Sequence, residues 1–326
     1  MGESIGSPAL WGGFFVFVFA MLALDLGLLN RGSHTVSAKQ ALRFTALWVS
    51  LGLMFGAGMW WQFGSRLGLE FLTGYVIEYS LSVDNIFVFI IIFRAFRVPN
   101  EYQHRVLFWG ILGALILRMA MILMGSALVQ RFHIVLYGFG AFLLWTGLKI
   151  LFTKDDDGEE NPEESAVVRQ VRKLIPTTKE LHGNAFFVVE AGRRMATPLF
   201  ICLVTVEISD VIFAVDSIPA IFGITQDPFV VFTSNIFAIM GLRSLYFLLA
   251  QWVTLFRFLK TGLGIVLSFV GLKMLSGALT LINEAWAVHI HPAISLGVIV
   301  SVLVISIVAS AVIPVKEVPP ETDKPA

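Results

Sequence analysis

The order of apolar and polar positions resolves the chain into nine long apolar runs, at 8–29, 43–63, 71–96, 105–128, 133–152, 198–223, 229–250, 258–282 and 291–313. A helix needs about 20 predominantly apolar residues to cross a hydrocarbon core. The runs therefore predict an all-α, polytopic transmembrane bundle of about nine spans. Composition agrees, with 57% hydrophobic and 14% charged residues, against about 25% charged in ordinary soluble domains. The first run is preceded only by MGESIGSP, which carries no basic residue, so it is expected to stay as a helix rather than be cleaved as a signal peptide.

The polar intervals then set the organisation. Residues 1–152 carry spans one to five, 153–196 form a linker, 197–313 carry spans six to nine, and 314–326 are a tail. The linker opens TKDDDGEENPEES, a solvated acidic tract. A short amphipathic helix at 166–175 and a small hairpin at 186–196 are the structured pieces expected in it. With nine spans the loops fall on two sides, one holding 2 Lys/Arg (Arg66 and Arg131) and the other 17. By the positive-inside rule the basic side, with the linker and the tail, is cytoplasmic, which puts the N-terminus outside an inner (cell) membrane. Net charge is zero, so global charge says nothing about nucleic acid or acidic partners; membrane lipid is the expected surrounding and no nucleic-acid partner is expected. The lone Cys202 excludes an internal disulfide.

An internal repeat underlies the spans. GFGAFLLWTGLKIL at 138–151 and GLGIVLSFVGLKML at 262–275 share Gly-x-Gly-x6-Gly-Leu-Lys-x-Leu. Glu78 and Asp84-Asn85-Ile86 match Asp210 and Asp216-Ser217-Ile218 at the same spacing, and Arg118 corresponds to Arg243. Each copy holds three spans, the third to fifth and the sixth to eighth. An odd number of spans inverts the second copy, the inverted-repeat layout of many secondary transporters. The glycines lie inside spans, where they read as close helix-packing positions rather than a nucleotide loop.

Once loop charges are assigned, six acids remain inside spans: Asp25, Glu78, Asp84, Glu207, Asp210 and Asp216. Lys149 and Lys273 fall near span ends, which leaves Arg118 and Arg243 as the deep bases. Four uncompensated acids at about 2.5–3.5 kcal/mol each would cost roughly 10–14 kcal/mol, as much as the whole net stability of a domain. The excess must be protonated, face water or be neutralised by a bound cation. The arginines either hold carboxylates ionised as counter-ions or compete with a cation for them. Pro219 cannot donate to the carbonyl of Val215, so a broken sixth span beside Asp216 is expected to bring Asp210 and Asp216 together. An unbroken helix would space the acids about 9 Å along its axis as successive stations.

The remaining donors are the amides of Asn85 and Asn235, the hydroxyls of Ser80, Ser82, Ser209 and Ser217, and backbone oxygens; no histidine lies deep in a span. Oxygen-only shells suit Mg, Ca and Mn rather than Zn or Cu. The metal set expected is Glu78, Asp84, Asn85, Glu207, Asp210, Asp216 and Ser217, with Asp25, Arg118 and Arg243 as proton-coupling or counter-ion groups. No Walker-type nucleotide motif, Ser/His or Cys/His constellation, or HExxH helix occurs. The reading is therefore a non-enzymatic carrier with no permanently bound cofactor, with a transported cation and protons as its partners.

The strings ALDL around Asp25, GYVIEYSLSVDNIFVF at 74–89 and EISDVIFAVDSIPAIF at 207–222 resemble the signatures of the TerC/Alx family of integral membrane proteins. The similarity in span pattern runs from about residue 8 to 313. It implies association with tellurium resistance by name and with manganese export by function, and it carries the family's acidic positions onto the six acids above. Manganese export, with a non-transporting scaffold of a tellurite- or metal-stress complex as the alternative, is the expectation taken to the structure.

Overall fold

The computed structural model describes residues 4–29, 38–132, 134–152, 168, 175–178, 180–190, 192–249, 258–278 and 290–313. Ten helices and one hairpin occur among them: α1 (Pro8–Leu29), α2 (Ala38–Phe63), α3 (Ser65–Ala95), α4 (Asn100–Arg131), α5 (Ile134–Phe152), β1 (Phe187–Glu190), β2 (Arg193–Ala196), α6 (Pro198–Phe222), α7 (Pro228–Met240), α8 (Leu242–Leu249), α9 (Leu259–Ala278) and α10 (Pro292–Val312). A helix or helix pair stands on each of the nine apolar runs. Among the described residues seven are long and apolar enough to cross a membrane, and α7 with α8, bent by 41° at Gly241, form either an eighth, broken span or a re-entrant loop. The shorter apolar stretch Pro8–Leu24 opens α1.

Local chemistry sets the helix starts. Pro198, Pro228 and Pro292 each open a helix, where the missing N–H would be unpaired anyway and φ is already helical. Asp227 caps α7 by accepting from the N–H groups of Phe229 and Val230 at 2.8 and 3.3 Å. The same carboxylate accepts from the Ser4 hydroxyl and the Ile5 N–H at 3.1 and 2.8 Å, tying the N-terminal segment to the start of α7.

Pro219 does not break α6, which runs uninterrupted from Pro198 to Phe222. A helix within a bundle tolerates an interior proline where neighbouring helices re-satisfy the backbone. The break lies instead at Gly241, between α7 and α8. The expected hairpin forms, with Phe187 opposite Ala196 and Glu190 opposite Arg193, and Gly192 in the turn at φ 75°. Nearly all of 166–175 lies outside the described residues.

Helix α3 is central, packing on α2, α6, α7 and α10, while α4 packs on α6 and α7. The repeat strings meet directly in the α5–α9 pair. A Cβ on Gly147 would stand 2.6 Å from the carbonyl oxygen of Gly264, and one on Gly271 would stand 2.7 Å from that of Gly140. The helices run antiparallel, and second and third glycines of the two strings exchange places across the contact. Two apolar clusters fill the bundle. Val76 and Tyr79 on α3 and Leu136 and Phe139 on α5 pack against both, next to Glu78 on α3, while Asp210 on α6 lies between Val206 of one cluster and Ala214 of the other.

Candidate functional site

Four helices bring polar side chains to one buried point. Arg118 projects from the middle of α4 and is 1% exposed. Its Nε and Nη2 donate to the two carboxylate oxygens of Asp210 on α6 at 3.0 and 2.8 Å. Its Nη1 donates to Glu78 Oε1 on α3 and, at 3.1 Å, to Asn235 Oδ1 on α7. The planar guanidinium suits two-pronged pairing with a carboxylate. Glu78 and Asp210, the acids that match in the two similar sequence strings, thus share one arginine.

Pairing at the cluster is incomplete. Glu78 Oε2 and Asn235 Nδ2 are buried with no hydrogen-bond partner among the described residues. Beside them lies a small cavity lined by Phe89 of α3, Leu107, Gly110, Ile111 and Ala114 of α4, Val206, Glu207 and Asp210 of α6, and Ile239 and Leu242. Its volume of about 10 Å³ is near the space one water molecule needs. Along every helix the cavity residues other than Asp210 itself lie on one side of the Arg118 level, toward the α3–α4 turn and the hairpin. Glu207 borders the cavity with Oε2 buried and unpartnered. It fits there because Gly113 has no side chain; a Cβ at that position would run into the Glu207 carboxylate.

On the far side of the Arg118 level the packing is aromatic. Phe14 of α1, Phe55 of α2 and Phe71 of α3 make ring contacts with one another and with Phe237 of α7, which stands two residues past Asn235, at centroid distances of 4.7–6.1 Å. Trp11 adds edge and tilted contacts to Phe229 and Phe232 at 5.1 and 5.3 Å.

The expected site residues divide. Glu78, Asp210 and Arg118 converge, Asn235 joins them, and Glu207 sits one turn away at the cavity. Asp216 is half-buried further along α6, and on an unbroken helix it points about 120° from Asp210, so the convergence expected through a Pro219 break does not occur. Ser217 and Asn85 are buried, and the Ser217 hydroxyl has no partner among the described residues. Ser80 and Ser209 donate one turn back to the carbonyls of Val76 and Thr205, the usual way a hydroxyl is satisfied within a helix. Arg243 is buried just past the Gly241 break. The side chains of Asp25 and Asp84 lie outside the description. Among the described residues no group of three or more His, Cys, Asp or Glu is arranged to hold a metal ion; the guanidinium stands between the two nearest carboxylates.

Sequence reasoning gave Asn235 only as a spare donor and missed Gly113 altogether. It also placed Glu70 outside the third span. That residue is 5% exposed in α3, bonded by Arg66 at 2.9 Å, because α3 begins six residues before the apolar run does.

The comparisons with known proteins agree with this architecture. The profile of the integral membrane protein TerC family matches residues 63–317. A protein from Myxococcus xanthus described as an uncharacterized membrane protein is 56% identical over 309 residues, covering 95% of this chain and 94% of its own. A Salmonella typhi protein named "Putative membrane-bound redox modulator Alx" is 48% identical over 315 residues, covering 94% and 95%. Its namesake in Escherichia coli K12 is 47% identical over 318 residues, covering 95% and 96%. No solved structure matches the chain.

Proposed function

The chain belongs to the TerC family of integral membrane proteins, and on that premise we propose that it is a secondary carrier exporting a hard divalent cation, manganese the favoured cargo, in exchange for protons. One observation carries the reading: buried Glu78 and Asp210 and half-buried Glu207, with buried Arg118, sum to two negative charges beside a cavity. One divalent cation neutralises that charge, and so do two protons. Left uncompensated it would cost several kcal/mol.

The oxygen-only donors favour Mn2+ over Zn2+ or Cu2+. The reciprocal α5–α9 glycine contact, with equivalent positions exchanged between antiparallel helices, supports the inverted-repeat arrangement on which alternating access is built. With the basic loops cytoplasmic, the cavity lies on the cytoplasmic side of the Arg118 level, and the aromatic packing around Phe14, Phe55 and Phe71 lies on the outer side. Outward movement of Mn2+ against an interior-negative potential costs about 4.6 kcal/mol per 100 mV. With no nucleotide motif, an ion gradient is the available source, and carboxylates that exchange protons for metal couple the two fluxes. The Alx relatives' description as redox modulators is compatible with a redox-active cargo, since the single Cys202 offers no internal dithiol couple.

The test is Mn2+ uptake into everted membrane vesicles with an acid interior, with Zn2+ as competitor. Uptake that follows the pH gradient and resists Zn2+ is expected. Uptake indifferent to the gradient removes the proton coupling, Zn2+ displacing Mn2+ with higher affinity removes the oxygen-only site, and absence of uptake favours the scaffold.

A further inference from the structure

We infer that Arg118 is a tethered stand-in for the cargo: an entering divalent cation displaces its guanidinium from Glu78 and Asp210 onto Glu207, and departure of the cation brings it back. This rests on the transport reading above.

The two repeat-equivalent acids are held by the arginine, four of whose five N–H groups are spent on Asp210, Glu78 and Asn235. A metal cannot take Glu78 and Asp210 while the guanidinium lies between them, since two cations would then share one carboxylate pair. The arginine must leave, and α4 and α6 supply a place for it. Long helical side chains lean toward their helix N-terminus, which from Arg118 is the direction of Ala114 and Gly110, two residues of the cavity wall. Glu207 lies three residues before Asp210 and shares its face, one turn or about 5 Å along α6 in that same direction. Its Oε2 is buried, unpartnered among the described residues and beside the cavity. Gly113 leaves the room that its carboxylate occupies.

Both positions are then paired. Before entry, Arg118 offsets one charge of the Glu78–Asp210 pair. After entry, the metal neutralises that pair and Arg118 neutralises Glu207. The arginine therefore sets how firmly the site holds its cargo and lets it go, and Glu207 is a positioning residue acting through Arg118 rather than a metal ligand.

The experiment uses the full-length protein in lipid nanodiscs, freed of metal with a chelator, and reads Mn2+ binding from the loss of the free-ion EPR signal. Arg118→Gln removes the competitor, so binding at least ten-fold tighter than wild type is expected. Glu207→Gln removes the second position, so binding about ten-fold weaker is expected, and this loss should vanish in the double variant because the two residues act as a unit. Weaker binding in Arg118→Gln, or the same Glu207→Gln loss with and without Arg118, overturns the displacement and makes Glu207 a direct ligand. If Arg118→Gln does not fold, Arg118→Lys decides, since an ammonium cannot reproduce the two-pronged hold on Asp210; it should bind more tightly than wild type, and weaker binding overturns the proposal. Wild-type protein that neither binds nor moves Mn2+ removes the transport reading itself, whereas wild-type transport with an unaltered Glu207→Gln loss removes only the displacement.

Discussion

At the Arg118 cluster charge outweighs any single hydrogen bond. Two buried carboxylates share one guanidinium, so the pieces that can be removed are not equivalent. Asp210→Asn leaves Arg118 and Glu78 as a one-to-one pair. Arg118→Leu leaves two carboxylates facing each other in a sealed interior, where stranding a buried charge costs about 3–5 kcal/mol. In chelator, thermal unfolding should therefore rank Arg118→Leu well below Asp210→Asn, and added Mn2+ should recover more of the loss in the arginine variant. The reverse ranking would mean that the arginine, not the acids, is the unpaired charge. The sequence exposes the imbalance, because charges inside apolar runs stand out, but it does not say which acid meets which arginine. That depends on how α3, α4, α6 and α7 are rotated about their axes. Gly113 carries no signal at all, since its contribution is the space it leaves for a side chain on another helix.

At the scale of the elements, helix existence is legible in the apolar runs and helix continuity is not. Pro219 has the chemistry of a breaker and sits inside an intact α6, while Gly241 has the chemistry of a packing residue and marks the bend. Both outcomes are decided by neighbouring helices, which local propensity does not contain. The repeated glycines, by contrast, are packing positions as their place in the spans suggests, and they differ among themselves. Gly147 and Gly271 abut the facing backbone, whereas nothing lies within 4 Å of a Cβ at Gly138. Gly147→Val should therefore lower stability by about 1–3 kcal/mol or more through overpacking. Gly138→Ala should be neutral or stabilising by up to about 1 kcal/mol through helix propensity. Thermal unfolding of the two variants checks this; equal losses would show that flexibility, not close approach, is what the glycines provide.

Across the whole molecule, a polar layer built from α3, α4, α6 and α7 separates a cavity on the hairpin side from the aromatic packing around Phe14, Phe55 and Phe71 on the other. That asymmetry is the form one end state of an alternating carrier would take. It makes transport by this chain alone, through Glu78 and Asp210, the claim to test. Purified protein is reconstituted as the sole protein in liposomes, a pH gradient is imposed, and Mn2+ movement is followed with a metal-sensitive dye. Wild type should move Mn2+ against the proton flow and alkalinise or acidify the lumen in step with it, and Glu78→Gln and Asp210→Asn should each lower the rate at least ten-fold while remaining folded. No Mn2+ movement by folded wild-type protein, or undiminished movement in both carboxylate variants, would contradict the assignment.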